Sequence, residues 1–326
     1  MSKVSVIIPV FNSQRTIRET INSVLNQTHS DLEIIVIDDG SQDSTAEIVS
    51  AIDDPRVRLF SYPNAGQAES RNRGIAKASG NYIAFLDADD LWTPDKLEAQ
   101  LKALALYPKA AVAYSWVDRI DEQGQFIGRG SYISVSGNVY SKLLLIDFLE
   151  NGSNPLIRTQ AISEVGGFDP SLVPAEDWNL WLKLARKYEF AIVPSVQVLY
   201  RSSTQSISAS ANVKKLENAS IKVIDLAFAE APETLQFLKT KSQGNMYKYL
   251  AFKALDNISN RQNAVLALKF LNQSIKNDPK FTRSRTLWKA LAKIAVVLTM
   301  SPSAVNRYPK LFDTSTLLGY FQLDTD

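Results

Sequence analysis

An α/β fold with a mostly parallel sheet flanked by helices on both faces, followed by a smaller α-helical region, is what this sequence predicts. Three observations carry it. β-branched runs alternate with segments of helical spacing from Val4 to Leu86, each run ends in polar residues, and from Val213 onward nearly every segment reads as helix. The chain has 326 residues, 45% of them apolar, enough for two cores, and the expected division is 1–212 and 213–326.

Val4 to Val10 is a continuous β-branched run, Thr16 to Leu25 repeats apolar residues at helical intervals (Ile17, Ile21, Val24, Leu25), and Leu32 to Ile37 is a second strand. Ser44 to Ile52 repeats the helix pattern, Val57 to Phe60 is a third strand, Gln67 to Ala78 a helix, and Tyr82 to Leu86 a fourth strand. Such alternation implies parallel strands buried on both faces, with ligands gathered at their carboxyl ends. Phe11-Asn12, Asp38-Asp39-Gly40-Ser41 and Asp87 to Asp90 all fall at those ends. Beyond Pro94 come a helix (Lys96 to Leu106), a strand (Ala110 to Trp116), a polar hairpin around Asp121 to Gly124, and strands within Phe190 to Tyr200 broken by Pro194. In the tail, Ala264 to Pro279 has the look of one helix of a tetratricopeptide-type pair, and a single helical hairpin is expected there.

Composition excludes several chemistries. There is no cysteine, and the single histidine, His29, sits in a polar turn, so thiolate sites, disulfides and histidine-rich zinc centres are ruled out. Any metal must be held by oxygen. The N-terminus runs into its first strand without signal-peptide features, and no apolar run approaches ~20 residues, so a cytoplasmic chain is expected. Net charge is +2, yet Lys276 to Lys310 carries eight basic residues against one acid.

Asp87-Ala88-Asp89-Asp90 sets three carboxylates within four residues at a strand's end. Carboxylates so close repel one another, and holding a hard divalent cation is a reason to collect them. A helix cap supplied by Asp89 or Asp90 is the plainer use, given Thr93-Pro94 just beyond; capping accounts for Asp90, but three acids exceed what a cap needs.

Taken in order, Val6-Ile7-Ile8-Pro9-Val10-Phe11-Asn12, Asp38-Asp39-Gly40-Ser41, Asn64-Ala65-Gly66, Arg71-Asn72-Arg73-Gly74, Asp87-Ala88-Asp89, Gly166-Gly167-Phe168-Asp169 and Glu176-Asp177 make the chain resemble glycosyltransferase family 2. That resemblance implies the GT-A fold and an inverting transferase acting on nucleotide sugars. It implies that Pro9, Phe11 and Asn12 pack on the nucleotide base and that Asp39 hydrogen-bonds it. Gly66 and Arg71 would lie beneath the diphosphate, Asp87 and Ala88 at the ribose, and Asp89 with Asp87 on Mn²⁺ or Mg²⁺. Asp177 would be the catalytic base, for which the bland alternative is an acid complementing a helix dipole. Arg201 matches a position whose basic side chains reach the diphosphate, although a histidine often seen beyond it is replaced in the neighbourhood of Ser203. Trp116 and Trp178 are candidates for sugar stacking, with core packing favoured for both.

The implied function is transfer of a single sugar from a nucleotide-diphosphate sugar, UDP-linked, to a hydroxyl-bearing glycan or lipid-linked acceptor. The alternative is a non-catalytic nucleotide-sugar-binding scaffold that assembles through its helical tail. Processive synthases resemble it less, since QxxRW and membrane spans are missing, and Phe11-Asn12-Ser13 lacks the glycines of a dinucleotide site. In the tail, Leu287, Trp288, Leu291, Ile294, Ala295 and Leu298 form a stripe with Lys289 and Lys293 off it, which reads as an interfacial helix on the cytoplasmic face of a membrane. The competing use is packing on another protein surface, including a second subunit; no nucleic-acid motif accompanies the charge.

Overall fold

The computed structural model describes residues 2–202, 213–255 and 261–299. These form two compact units, one of 2–140 with Phe148–Ser202, the other of Ser141–Asp147 with 213–255 and 261–299. The expected boundary at Asn212 lies outside the described residues, and so does Ser203.

The strands are β1 (Val4–Val10), β2 (Leu32–Asp38), β3 (Val57–Ser61), β4 (Tyr82–Phe85), β5 (Leu91–Trp92), β6 (Ala110–Ile120), β7 (Phe126–Arg129), β8 (Leu156–Arg158) and β9 (Glu189–Arg201). The helices are α1 (Ile17–Leu25), α2 (Thr45–Ser50), α3 (Gln67–Lys77), α4 (Lys96–Leu106), α5 (Tyr140–Leu145), α6 (Thr159–Val165), α7 (Glu176–Lys187), α8 (Val213–Glu230), α9 (Leu238–Leu255), α10 (Arg261–Asn277) and α11 (Arg285–Thr299).

One sheet of order β3-β2-β1-β4-β8-β6-β9-β5, with β7 on β6, organises the first unit. The expected parallel sheet is its β3-β2-β1-β4 part, joined by β6 with β9; the pairings of β8, β5 and β7 are antiparallel. Because β8 runs against both β4 and β6, those two strands point the same way and end at the same edge.

Every residue of β1 and β2 is buried, as a sheet covered on both faces requires. On one face Val6, Ile8, Ile34 and Val36 join Ile17 and Ile21 of α1 and Leu97 and Leu104 of α4 in a continuous core. On the other face α3 comes in at backbone distance: a Cβ on Gly74 would sit 2.3 Å from Ile7 Cγ2. There Phe85 meets Phe168 edge-on at 4.9 Å, and Phe168 meets Trp181 of α7 at 6.4 Å. Trp178 is buried in the same helix, as core packing predicts.

One expectation changes, and two strands are added. β9 is one strand: Ser115 pairs with Val193 and Trp116 with Val196, so Pro194 sits at an irregularity where its missing N–H breaks no ladder bond. β5 and β8 span two and three residues, too few to show any alternation in sequence.

In the helical unit α9 and α10 form the expected antiparallel hairpin, with Ser274 Oγ donating to the Gly244 carbonyl at 2.9 Å and Lys248 paired with Asp278 at 3.1 Å. The expected stripe of α11 is only partly covered: Leu291 and Leu298 are half-buried and Ala295 is exposed. Leu287, Ala290, Ile294 and Val297 are buried, and Lys293, expected on the polar side, is buried too, its Nζ donating to the Leu255 carbonyl at 3.1 Å. Trp288, placed in the stripe by its spacing, is 63% exposed. No described helix is long and apolar enough to cross a membrane.

Candidate active site

β1 and β2 end side by side, Val10 opposite Asp38, and the loops that follow are laced together. Pro9 is buried within β1 opposite Ile37, whereas Phe11, the first residue past the strand, is 49% exposed and offers an aromatic face at the sheet's edge. Asn12 takes φ 50°, a conformation that Asn tolerates better than most residues, and braces the β2 loop. Its N–H donates to Ser41 Oγ at 3.0 Å and its Oδ1 accepts from the Gln42 N–H at 2.8 Å. Asp38 caps that turn, Oδ1 accepting from the Ser41 N–H at 3.0 Å.

Asp39 is buried and faces the start of α3. Its oxygens accept from the Ala65 N–H at 2.9 Å and the Gly66 N–H at 2.7 Å, with Arg73 Nη1 at 3.4 Å. Gly66 holds φ 90° in making that contact, which residues with a Cβ rarely adopt. A carboxylate has about four acceptor positions, so Asp39 retains capacity for one further donor.

Arg71 joins the acidic motifs. It points from α3 into the protein, is 2% exposed, and donates from Nη2 to Asp87 at 2.7 Å and from Nη1 to Glu176 at 2.9 Å, its guanidinium lying over the Phe168 ring at 5.2 Å. Burial works against its charge, but the carboxylates of Asp87, Glu176 and Asp177 outweigh this and raise its pKa above the usual arginine value. One guanidinium thus ties the end of β4 to the start of α7, motifs 89 residues apart in sequence from Asp87 to Glu176. Gln67 Nε2 adds a second donor to Asp87 at 2.8 Å. Asp177 follows Glu176, partly exposed, its Oδ1 accepting the Trp178 N–H at 2.7 Å.

The rest of the acid cluster divides by depth. Asp90 is fully buried and is not a helix cap: it accepts from Ser153 Oγ at 2.5 Å and from the Arg201 N–H at 2.9 Å. Burial, then the charges of Asp89 and Asp87, push its carboxyl well above the ordinary range. Asp89 is shallower; burial and then the Asp87 charge push it up to about 6, against the attraction of Arg201. The Ala88 carbonyl accepts from Thr20 Oγ1 at 2.9 Å, fixing the backbone between the acids.

Arg201 departs from expectation. Its side chain is 4% exposed and donates to the carbonyls of Asp89 (2.8 Å), Asp121 (3.1 Å) and Glu122 (3.1 Å) and to the Glu19 carboxylate (2.8 Å). Engaged in this way it braces the acidic loop against the β6–β7 turn and is not presented to a diphosphate. Trp116 stacks on Tyr132 with ring centroids 4.6 Å apart and donates to Ser134 Oγ at 3.2 Å.

Sequence reasoning missed Glu176 as the partner of Arg71, and it missed the stretch Asn151-Gly152-Ser153-Asn154. Ser153 binds both ends of the acid cluster, Oγ accepting the Asp87 N–H at 3.0 Å while donating to Asp90. A Cβ on Gly152 would stand 2.6 Å from Arg71 Nη2. Small polar residues just before an apolar strand were the available signal.

The donor set suits a hard cation. Among the described residues no three acids converge into a closed cage. One or two carboxylates are nevertheless what Mg²⁺ and Mn²⁺ use when phosphate and water complete the shell. Asp89 is the freer ligand, since Asp87 Oδ1 already accepts from Gln67 and Arg71.

The sequence matches the family described as Glycosyltransferase like family 2 over residues 5–254. An uncharacterized glycosyltransferase of Rickettsia bellii is 38% identical over 187 residues, covering 57% of this chain and 27% of that protein. The chondroitin synthase of Pasteurella multocida is 31% identical over 189 residues, covering 57% of this chain and 19% of the synthase. The chain therefore spans about a third or less of the length of the first of these relatives. Among solved structures, S. aureus TarS 1–349 in complex with UDP-GlcNAc superposes with TM-score 0.65 at 17% identity, covering 99% of this chain and 94% of that one. The mannosyltransferase PcManGT of Pyrobaculum calidifontis, in complex with GDP-Man and Mn²⁺, gives 0.60 at 18% identity, covering 99% and 88%. At these identities the likeness is one of fold.

Proposed function

The chain belongs to glycosyltransferase-like family 2, and on that premise we propose that it is a metal-dependent inverting glycosyltransferase that moves one sugar from a nucleotide-diphosphate sugar to a hydroxyl acceptor. The observation that carries this reading is the Arg71 bridge between Asp87 and Glu176. It ties Asp87, proposed for the diphosphate side, through one buried cation to Glu176, the residue before the proposed base Asp177.

Phe11 and Asp39 are the proposed nucleotide contacts, the first by its exposed ring, the second through its remaining acceptor capacity. Asp89, with Asp87, would hold Mn²⁺ or Mg²⁺, which when bound supplies a Lewis acid that neutralises charge on the diphosphate leaving group. Asp177 takes the proton of the attacking hydroxyl, and direct displacement at the anomeric carbon inverts it without a covalent intermediate. Arg71 keeps α7, and so Asp177, at a fixed distance from Asp87. Arg201 holds the acidic loop from behind. The solved relatives of this fold carry UDP-GlcNAc in one case and GDP-Man with Mn²⁺ in the other, which supports a nucleotide-sugar donor. A UDP-linked donor, a glycan or lipid-linked acceptor and a cytoplasmic location complete the proposal.

A thermal-shift panel of nucleoside diphosphates with and without Mn²⁺ tests it. Binding at a hundredfold excess over Kd adds about 2.7 kcal/mol of stability, several degrees in melting temperature. Absence of any shift with all of them would refute the reading.

A further inference from the structure

Of the two tryptophans considered for sugar stacking, Trp178 is buried and Trp116 is half-buried. The register of the sheet fixes where Trp116 stands. Ala84 of β4 pairs with Leu156 of β8, which pairs in turn with Ala113 of β6, and all three face the core beneath α1 and α4. Val117 faces the same core, so β6 alternates regularly from Ala113 and turns Trp116 to the opposite face. Phe85 and Asp87 share that opposite face, where they meet Phe168 and Arg71 of α3. Asp87 and Trp116 each lie three residues beyond the paired alanines, and Ser153 three before Leu156, so the three form one row across the sheet. The bond from the Asp87 N–H to Ser153 Oγ, 3.0 Å, closes the first step of that row. Two strand spacings, roughly 10 Å, separate Trp116 from Asp87.

The indole is a fixed plate. Tyr132 stacks on one of its faces, centroids 4.6 Å apart and planes within 5°, and Ser134 Oγ accepts from its Nε1 at 3.2 Å. Tyr132 is itself held, its hydroxyl donating to Asp118 at 2.5 Å and the Arg129 guanidinium lying over its ring at 5.5 Å. The pair stands at the surface, with Ser134 and Arg129 exposed and Asp118 half-buried beside it. On this face the core closes one step earlier along β6, at Tyr114, which is 1% exposed and packs on Phe148 at 5.2 Å.

We infer that Trp116 is the platform for the acceptor, and that the acceptor lays a sugar ring on it. The inference rests on the proposed transferase reading. In that reading the nucleotide lies at Phe11 and Asp39, beyond β1 and β2, and the diphosphate at Asp87 and Asp89, beyond β4. Inverting displacement needs attack from the side away from the leaving diphosphate, and the sheet continues on that side through β8 to β6. An aromatic face carries negative charge density and attracts the C–H groups on one face of a sugar ring. The rim of the plate suits the hydroxyls at the edge of such a ring: Arg129 can donate, Asp118 accept and Ser134 do both. An alkyl chain on the same plate would leave those groups without partners, which favours a saccharide over a bare lipid.

The test titrates the full chain, with UDP or GDP and Mn²⁺ present, with both anomers of methyl glucoside, galactoside, mannoside and N-acetylglucosaminide, followed by saturation-transfer NMR. Ribitol, which has hydroxyls but no ring face, is the control, and melting temperature reports folding. At least one glycoside should bind wild type more tightly than ribitol. Trp116→Ala should weaken that glycoside roughly 10- to 100-fold, and Trp116→Phe, which keeps a smaller ring on Tyr132, about 3- to 10-fold. Nucleoside diphosphate affinity should stay within about twofold of wild type in both variants, since neither change touches the nucleotide side. Unchanged glycoside affinity in a folded variant, equal weakening of glycoside and nucleotide, or a wild type that binds no glycoside better than ribitol would overturn the inference and leave the transferase reading standing. If wild type binds no nucleoside diphosphate, the underlying reading fails and the inference with it.

Discussion

Replacing Arg71 by lysine tests whether one guanidinium couples the two acidic motifs. Arginine reaches both carboxylates from a planar fork, Asp87 at 2.7 Å and Glu176 at 2.9 Å, whereas a lysine ammonium is a point charge on a flexible stem that cannot span both. One charge-assisted hydrogen bond is lost, worth about 1.5–3 kcal/mol, and Glu176 is left buried beside a distant charge. Arg71→Met, which leaves both carboxylates unpaired, should destabilise by about 3–5 kcal/mol. Four of the five tryptophans, Trp92, Trp116, Trp178 and Trp181, lie in the first unit, so urea unfolding followed by fluorescence reports this unit. A double-mutant cycle with Glu176→Gln should give a coupling of roughly 1 kcal/mol or more. In the transfer reaction Arg71→Lys should lower kcat about 10- to 100-fold, since α7 loses its tether to the diphosphate side. Unchanged stability together with zero coupling to Glu176 would refute the bridge as the organising contact.

Three further outcomes follow from the same geometry. Gly152→Ala puts a methyl 2.6 Å from Arg71 Nη2, locked by its two ion pairs, and should cut turnover as Arg71→Lys does; wild-type turnover would show that Arg71 has slack. Glu33, buried among Ser5, Ser79 and Lys3, has its pKa lowered to about 2: burial raises it, but the hydrogen bonds from Ser5 and Ser79 and the Lys3 contact prevail. Its contribution to stability is thus full above about 4.5 and lost as pH falls towards 2, so Glu33→Gln should flatten the fall in urea midpoint across that window, and an identical slope would contradict this. Because Leu287, Ala290, Ile294 and Val297 of α11 are packed inside the helical unit, Trp288→Ala with Lys289→Glu should leave flotation with anionic liposomes unchanged, and loss of flotation would support the interfacial reading.

Much of the first unit was legible because its signals are local. β1 to β4 are fully or partly buried runs punctuated by turns, and the acidic residues at their ends can be read from spacing alone. What stayed hidden depends on tertiary contact. Nothing in the sequence says that Arg71 will meet Glu176, or that Arg201 will face carbonyls from two loops, because these partners are set by the mixed half of the sheet. Asp90 read as a cap because a carboxylate before a helix usually is one; in the structure its burial beside Ser153 decides otherwise. In α11 periodicity set the apolar stripe off the buried face, which runs through Leu287, Ala290, Ile294 and Val297, and could not tell a lipid surface from packing within the helical unit, since both present hydrocarbon.

The division of labour among the carboxylates is the central claim, and paired titrations test it most directly. Asp177→Asn and Asp89→Ala are each measured for nucleoside diphosphate affinity with and without Mn²⁺ and for turnover. The account predicts that Asp177→Asn loses turnover while keeping wild-type nucleotide affinity, and that Asp89→Ala loses the Mn²⁺-dependent part of binding. Equal loss of nucleotide affinity in both variants would contradict it.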